Sequence, residues 1–497
     1  MTAESKVRLG WLWLAGSVAT GAAIRLFRLD RQSFWYDEAV SARIAAAPFW
    51  DILSGRERDL GNPPLHHLLL NLWSQVFGLG DAALRSLSAA ASIAAIPAVH
   101  AVARRLAGER AALIAAGVMA LAPIHVYFAQ ETRTYAIVTL LVVLNVLMLL
   151  RAEEKPERVG RWIAYAASIF LCAYAHYFAF FFLTGQLAYV ALTHGRDRAV
   201  LLPWIGSVVG GAGLYLVWIP SFLAQVSTTG NLSRSADSWL LHGMGTPLVF
   251  SVGTTLLWKD TVSVPRILAA AVALVAFGAA FLAGCWHLRV RRKRLALLLL
   301  WLLSPIALPL LISVALFPFY NVRYAVIAAP AMAILVAAGL DGLPRFSRLA
   351  VACAVASTSL LSLASYFTST VKHDWRSAAA ELDGKVRPGD VLVFDVDTGE
   401  TPFGRYARSR APRLRLLRPK QEALGVFFGS ATRSEEPRDI SLAVASAPRI
   451  WFVRSDPNDG SGDYYRGAFE AGFRSSTKLS YRGIDITLYE PAVRAMR

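Results

Sequence analysis

Apolar segments long enough to cross a lipid bilayer recur along the first three quarters of this chain, and no other feature restricts its fold so strongly. A helix needs roughly 17 to 25 apolar residues to cross the hydrocarbon core. Over 497 residues, 55% are hydrophobic and only 17% are charged, and the mean hydropathy is +0.44. We therefore predict an all-α polytopic membrane protein. The predicted spans, about eleven, are Leu9–Phe27, Ala82–Ala103, Ala111–Ala129, Tyr135–Leu150, Trp162–Ala175, Phe178–Thr193, Leu201–Ile219, Pro265–His287, Leu295–Leu316, Tyr324–Leu340 and Leu349–Phe367.

The number of spans and their direction follow from the segments and the loops between them. Trp162–Ala175 and Phe178–Thr193 are short and nearly continuous, so a re-entrant hairpin is an alternative there, and the range is about 11 to 13 helices. Basic residues favour cytoplasmic loops. A cytoplasmic N-terminus puts most of them inside, the short outer loops keeping chiefly Arg133 and Arg323. In a bacterial plasma membrane, an odd number of spans then places the C-terminus outside.

The net charge of +17 does not indicate a nucleic-acid partner. From Thr368 onward the chain holds 21 basic and 17 acidic residues, so most of the excess lies in the membrane part. There it falls mainly in the inner loops, where topology and anionic lipid headgroups account for it. The sequence also has no basic face interleaved with aromatic residues.

Three regions outside the predicted spans are large enough to carry chemistry. They are a first outer loop over residues 28–81, a Ser-, Thr- and Gly-rich stretch over 220–264 that is typical of a lid loop, and the tail over 368–497. The tail has strand-like runs at Asp390–Val396, Arg449–Ser455 and Asp485–Pro491 and a helical pattern at Trp375–Leu382. We predict a membrane domain over residues 1–367 and an extracytoplasmic α/β domain over 368–497.

The first outer loop begins with "SFWYDEAVSARIA", in which Asp37 and Glu38 follow three aromatic residues. One interpretation is structural, with Asp37 capping the helix that follows and Glu38 favouring its first turn. The other is catalytic. A carboxylate partly shielded from water gains proton affinity and can act as a general base.

The second half of that loop reads "NPPLHHLLLNLWSQVF", from Asn62 to Phe77. Asn62 as N-cap and the following prolines predict a helix whose apolar face lies on the membrane, opposite His67 and Asn71. His66 and His67 with Asp59 also suggest a metal site, but adjacent helical residues point about 100° apart and seldom share one ion. We therefore predict no cofactor, with a divalent metal left as an alternative that the sequence does not indicate.

The remaining outer loops bring basic and aromatic residues to the same side of the membrane. "AQETRTYA" holds Arg133 and Tyr135, "AYAHYFAFF" holds His176, and "FPFYNVRYAVIAAP" holds Arg323 and Tyr324. Each arginine is either an interfacial anchor or the ligand of a lipid phosphate, and a lone histidine at a helix end is more often structural. Channels and transporters place ionisable groups near the midplane, whereas these spans have few.

These motifs, together with "KHDWRSAAAEL" after the last span, resemble the polytopic GT-C glycosyltransferases. The similarity is to bacterial members related to the protein O-mannosyltransferases and the lipid A aminoarabinose transferases, glycosyltransferase families 39 and 83. The motifs occur in the family's order between Arg28 and about Asp390.

The resemblance implies a GT-C fold and the roles of several residues. Asp37 would be the catalytic carboxylate with Glu38 second, and Arg133 and Arg323 would bind the donor's phosphate, with His176, Tyr135 and Tyr324 lining that place. One departure concerns the residues before the double proline, which read Glu-Lys in aminoarabinose transferases and Gly61-Asn62 here. Arg58 or Asp59 substitutes, or the donor or acceptor differs, and Arg58, Asp59, His66 and His67 are candidate residues of that loop.

The resulting hypothesis is an inverting glycosyltransferase of the plasma membrane. Its donor would be a sugar on a polyprenyl phosphate, and its acceptor a hydroxyl on a glycan, lipid or protein at the outer face. Two alternatives are a flippase or transporter for lipid-linked sugars and a noncatalytic subunit of envelope assembly.

Overall fold

The computed structural model describes residues 2–59, 61–229, 238–256, 263–316, 320–395, 399–407, 415–417, 447–455, 469–470 and 472–492. By contacts between Cα atoms the chain divides into two compact units. The membrane unit is Met1–Leu29, Ala45–Ser227 and Ser233–Ser369, and the tail unit is Asp30–Ile44, Thr228–Leu232 and Thr370–Arg497. The first outer loop is therefore divided between the two units.

The described part of the chain is mostly helical, as predicted. Eight of its helices are long and apolar enough to cross a membrane, or nine if one bent pair counts as a single span. The helices, in chain order, are α1 Ala3–Leu26, α2 Tyr36–Ala45, α3 Phe49–Leu53, α4 Leu65–Phe77, α5 Asp81–Leu106, α6 Glu109–Leu121, α7 Pro123–Ala129, α8 Tyr135–Glu154, α9 Val159–Ala175, α10 Ala179–His194, α11 Arg198–Gly213, α12 Ile219–Thr229, α13 Ser238–Val252, α14 Val264–Leu288, α15 Arg292–Ala315, α16 Ala329–Gly342, α17 Arg345–Thr368, α18 Trp375–Asp383 and α19 Glu400–Tyr406, with 3₁₀ helices at Leu214–Trp218 and Val322–Ala328.

All eleven predicted spans fall on helices, with two departures from simple crossing. Ala111–Ala129 is the bent pair α6 and α7, which meet at 55° because Pro123 cannot continue the backbone hydrogen bonding of α6. The helices α9 and α10 are shorter than the helices counted as long enough to cross a membrane, and the two meet at His176. A re-entrant hairpin at this place therefore remains an alternative to two crossings.

The stretch predicted as a lid loop, 220–264, is largely helical where the structure describes it. The helices α12 and α13 cover most of it, and α13 reads "SWLLHGMGTPLVFSV". The reason is local, since apolar residues in this run outweigh its glycines. Residues 230–237 and 257–262 of the expected lid lie outside the described residues.

Close packing of α14 on α16 shows how the membrane unit is held together. A Cβ atom added to Gly284 would overlap the backbone of Leu335, and one added to Gly339 would overlap that of Ala280. Lipid tails are as apolar as leucine, so membrane helices associate through close backbone approach at small residues. These two glycines are therefore required at their positions.

In its described residues the tail unit has five strands, which are β1 Val391–Phe394, β2 Arg415–Leu417, β3 Ile450–Ser455, β4 Phe473–Tyr481 and β5 Ile484–Pro491. They form one sheet with the order β2-β1-β3-β5-β4. The middle strand β3 runs parallel to β1 and antiparallel to β5. Trp375 and Leu382 of α18 pack against Phe394 and Trp451 of the sheet.

Candidate active site

The two adjacent acids of the first loop have different surroundings. Both lie in the first turn of α2, which begins one residue before Asp37, so Asp37 is not at the cap position. Glu38 is fully buried, and its Oε2 accepts a hydrogen bond from Lys372 Nζ at 2.7 Å. Asp37 is half-buried, and its backbone carbonyl accepts one from Ser41 Oγ at 2.9 Å. Successive helical residues point about 100° apart, which separates the two carboxylates.

The segment before α2 is fixed to the start of the tail. Gln32 Oε1 accepts the backbone N–H groups of Val371 and Lys372 at 3.0 and 3.1 Å. Ser33 Oγ donates to Asp374 Oδ1 at 3.2 Å. With the Glu38–Lys372 pair, these contacts hold the segment that carries Asp37 at both ends.

The "KHDWR" motif contributes more than the sequence indicated. Asp374 caps α18, its Oδ1 accepting the N–H of Ser377 at 3.2 Å. Arg376 donates through Nη2 to the carbonyl of Asp30 at 2.9 Å, within the tail unit. Lys372, for which the sequence analysis predicts no role, binds Glu38. Its position two residues before the cap was the available signal.

In the membrane unit, Asp59 and Arg133 form a buried ion pair. Arg133 Nη1 lies 2.8 Å from Asp59 Oδ2, with side-chain exposures of 7% and 3%. The carboxylate also accepts the N–H of Gly61 and the amide of Asn62, both at 2.9 Å. Burial alone would raise the pKa of Asp59, but Arg133 and these donors lower it well below its usual range. An anion at this place would share Arg133 with Asp59.

The helix after this loop presents its polar side to the protein. It begins at Leu65, later than expected, with Pro64 as N-cap, while Asn62 binds Asp59. His66, His67 and Asn71 are buried, and the apolar residues Leu69, Leu72, Val76 and Phe77 are exposed. A helix against lipid turns its apolar face outward, so its polar groups find partners inside.

The two histidines are adjacent and uncharged. Their ring centroids lie 5.1 Å apart. Burial lowers the pKa of both, that of His67 to about 4 despite the nearby Asp59. Among the described residues, no three His, Cys, Asp or Glu side chains are grouped so that they could hold a metal ion.

The other predicted residues of the membrane unit gather around His176. Its ring lies 5.8 Å from Tyr135 and 5.5 Å from Tyr324, centroid to centroid. Burial, reinforced by the positive charges of Arg133 and Arg323, lowers the pKa of His176 to about 3. Arg323 is half-buried, and its Nη2 donates to the Tyr324 hydroxyl at 3.0 Å. The structure thus brings two arginines, a neutral histidine and two tyrosines together; Arg58 is half-buried in the nearby loop.

A buried arginine within the first span was missed from the sequence. Arg25 of α1 donates to the carbonyls of Met119 and Ala120 at 2.8 and 2.9 Å, where α6 ends. It also contacts Ser92 Oγ at 2.6 Å and His125 Nδ1 at 3.2 Å. A charged residue in an apolar segment is itself a signal of a functional or structural site. The ends of the spans therefore hold more ionisable groups than we expected from the sequence.

Comparisons with known proteins agree with this architecture. Residues 61–222 match the family model described as dolichyl-phosphate-mannose-protein mannosyltransferase. The chain is similar to ArnT from Cupriavidus metallidurans, with a TM-score of 0.62 and 15% identity over 97% of this chain and 98% of that one. Against ArnT bound to undecaprenyl phosphate, the TM-score is 0.61 at 15% identity over 98% of each chain.

A third solved structure is more distant and longer. It is the archaeal oligosaccharyltransferase AglB from Archaeoglobus fulgidus in complex with an inhibitory peptide and a dolichol-phosphate. The TM-score is 0.56 at 13% identity, over 99% of this chain and 75% of that one. No curated protein matches this sequence. At these identities the likeness establishes the fold, and the predicted fold class is confirmed.

Proposed function

We propose that this chain, a polytopic membrane protein with the GT-C fold, transfers a sugar from a polyprenyl-phosphate donor to an acceptor hydroxyl at the outer face of the plasma membrane. The proposal rests chiefly on one observation. Of two adjacent acids at the start of α2, Glu38 is held by Lys372 in a buried pair while Asp37 is half-buried. The match of residues 61–222 to a mannosyltransferase model supports the reaction class.

In this mechanism Asp37 is the general base. It takes the proton of the acceptor hydroxyl as that oxygen attacks the anomeric carbon, opposite the phosphate, through an oxocarbenium-like state. The bond from the anomeric carbon to the phosphate oxygen breaks, and the lipid phosphate leaves with the electron pair. The anomeric configuration inverts. Glu38 is a positioning residue because its carboxylate is already paired with a cation.

Positive charge in the membrane unit would stabilise the negative charge that develops on the leaving phosphate. Arg323 is half-buried and oriented by Tyr324, which suits a guanidinium that binds a phosphate. Arg133 is paired with Asp59, so we assign it a supporting role, in which it orders the loop that holds Asp59 and contributes part of its positive charge to the phosphate. A phosphate is a good leaving group, so neutral His176 is not needed as an acid and would serve as a hydrogen-bonding wall.

The test compares Asp37→Asn with Asp51→Asn, an acid of α3 that pairs with exposed Arg56. Both proteins are purified in nanodiscs and incubated with a panel of labelled polyprenyl-phosphate sugars and envelope extract. Asp37→Asn should lose transfer by about 10²-fold or more, as expected for loss of a general base, and Asp51→Asn should retain it. Normal transfer by Asp37→Asn overturns the assignment. In a parallel assay in sealed proteoliposomes, movement of the labelled lipid across the bilayer without a new glycosidic bond would identify a flippase instead.

A further inference from the structure

The tail unit contains a cavity that the proposed chemistry does not use. Its volume is about 820 Å³, and it lies along the length of α18, between that helix and the end of α19. Arg376 and Asp383 line one side, and Arg405 and Tyr406 line the other. Small-molecule sites commonly have volumes of about 300 to 1,000 Å³. The cavity is therefore large enough for one or two sugar rings.

Both guanidinium groups of the cavity are held in place by neighbours. Arg376 donates to the carbonyl of Asp30 at 2.9 Å and lies 5.3 Å from the centre of the Tyr406 ring. Arg405 lies 4.4 Å from the centre of the Phe34 ring. A fixed, planar guanidinium binds a phosphate or carboxylate through two parallel hydrogen bonds with little further ordering. Two of them favour an anionic ligand.

The other polar groups favour a ligand that also carries hydroxyls. Asp383 offers carboxylate oxygens that accept hydrogen bonds from sugar hydroxyls. Tyr406 presents a ring with an apolar face and a polar end. A simple inorganic anion would need neither group nor this volume. The alternative is that these side chains form an ordinary solvated surface with no ligand, and the concave shape of the cavity argues against this alternative.

Residues that line the cavity form hydrogen bonds with the segment that carries Asp37. The N–H of Phe34 donates to the Tyr406 hydroxyl at 2.7 Å. The N–H of Arg376 donates to Ser33 Oγ at 3.1 Å. Phe34 lies only three positions before Asp37, so a ligand in the cavity would contact the groups that hold the general base.

We propose that this cavity binds an anionic saccharide, a sugar bearing a phosphate or a carboxylate, as part of the acceptor. The words "part of the acceptor" rest on the proposed function; binding of the anionic saccharide does not. Arg376 and Arg405 hold the anionic group, while Asp383 and Tyr406 contact the ring hydroxyls. The cavity thereby selects acidic glycans over neutral ones.

The test measures binding to the full-length protein in nanodiscs by saturation-transfer NMR. The probes are glucose 6-phosphate and glucuronate, which distinguish the two anions, with glucose as the neutral reference. At least one anionic probe should bind, and Arg376→Gln or Arg405→Gln should weaken it about ten- to a hundredfold, as for a hydrogen bond to a charged group. Arg474→Gln, an exposed arginine of β4 in the same unit, is the matched control and should bind normally.

The outcomes separate this proposal from the proposed function. Asp37→Asn should bind the probe normally, so a failed transfer assay leaves the binding result standing. If Arg376→Gln does not fold, Arg376→Lys replaces it in the test. This variant keeps the charge and loses the planar guanidinium, so it should bind the probe with intermediate strength. Equal binding of glucose, no binding of either anionic probe, or unchanged binding in both arginine variants would overturn the proposal.

Discussion

At the scale of single residues, chemistry here depends on how charge is divided between neighbours. Glu38 and Asp37 are adjacent in sequence, yet Glu38 is fully buried against Lys372 while Asp37 is half-buried. In the membrane unit Asp59 offsets Arg133. Glu38 and Asp59, both buried, are thus paired with cations, and the proposed function assigns the contacts with substrate to the half-buried Asp37 and Arg323.

The Glu38–Lys372 pair should be worth more for position than for net stability. Glu38→Gln or Lys372→Met alone strands a buried charge or dipole, and each should cost about 3 to 5 kcal/mol. The double variant Glu38→Gln/Lys372→Met should cost clearly less than the sum, because no lone charge remains. Thermal unfolding of the four proteins measures this. Additive losses would show that the two side chains do not act together.

The neutral histidines should make the protein less stable in mild acid. Burial lowers the pKa of His67 to about 4 and that of His176 to about 3, whereas an unfolded histidine titrates near 6.5. Below about pH 6.5 the unfolded chain therefore binds more protons, and the free energy of unfolding falls as pH falls toward about 4. Thermal unfolding between pH 7.5 and 5 measures the slope.

Two variants assign that slope. His176→Phe should reduce the slope without abolishing it, because an aromatic ring is kept, one titrating group is lost and His67 still titrates. Asp59→Asn should lower the free energy of unfolding by the same amount throughout pH 5 to 7.5 and so keep the slope. The pKa of Asp59 is lowered, so its carboxylate stays ionised over that range and its own titration affects stability only at lower pH. A pH-independent unfolding temperature in the wild-type protein would contradict this account.

At the scale of secondary structure, the break between α6 and α7 determines where the Arg133 loop begins. A broken helix leaves carbonyl groups without partners in a region without water, which costs several kcal/mol for each. Arg25 of α1 binds the last carbonyls of α6, and Gln130 after α7 donates to the carbonyls of Arg25 and Phe27 at 3.0 and 2.9 Å. The first span thereby fixes both ends of α7.

Removing this arginine should weaken the whole bend. Arg25→Met leaves the carbonyls of Met119 and Ala120 unpaired in the membrane, and we expect a loss on the order of 3 to 5 kcal/mol. Arg25→Lys should recover part of it. The matched control is Arg8→Met, an exposed arginine on the same helix, which should unfold normally. Equal unfolding temperatures for the two methionine variants would contradict a structural role for Arg25.

At the scale of the whole molecule, the division of labour follows the two units. The membrane unit holds the gathered cations and aromatic rings, and the tail unit holds Asp37 on a segment taken from the first loop. The proposed reaction needs a lipid phosphate and an acceptor from water. The proposed function assigns the phosphate to the cations of the membrane unit and the proton of the acceptor to Asp37 of the tail unit.

The proposed orientation predicts which surfaces face the cytoplasm. Ser476→Cys in the exposed strand β4 should react with a membrane-impermeant maleimide in right-side-out vesicles. Lys155→Cys, in an exposed loop between α8 and α9, should react only after the vesicles are opened. The parent protein measures labelling of its three native cysteines. The reverse pattern would invert the topology and remove Asp37 from the outer face.

The sequence by itself determined the class of protein, the helices that fill the membrane and the motifs around the candidate site. These follow from local pattern, because span length, periodicity and turn residues are properties of neighbouring positions. Only the tertiary structure decided that Lys372, 334 residues away, pairs with Glu38, that Asp59 pairs with Arg133, and that Arg25 holds a broken helix. Burial and partners arise when distant segments meet, and the proposal that Asp37 rather than Glu38 is the base rests on them.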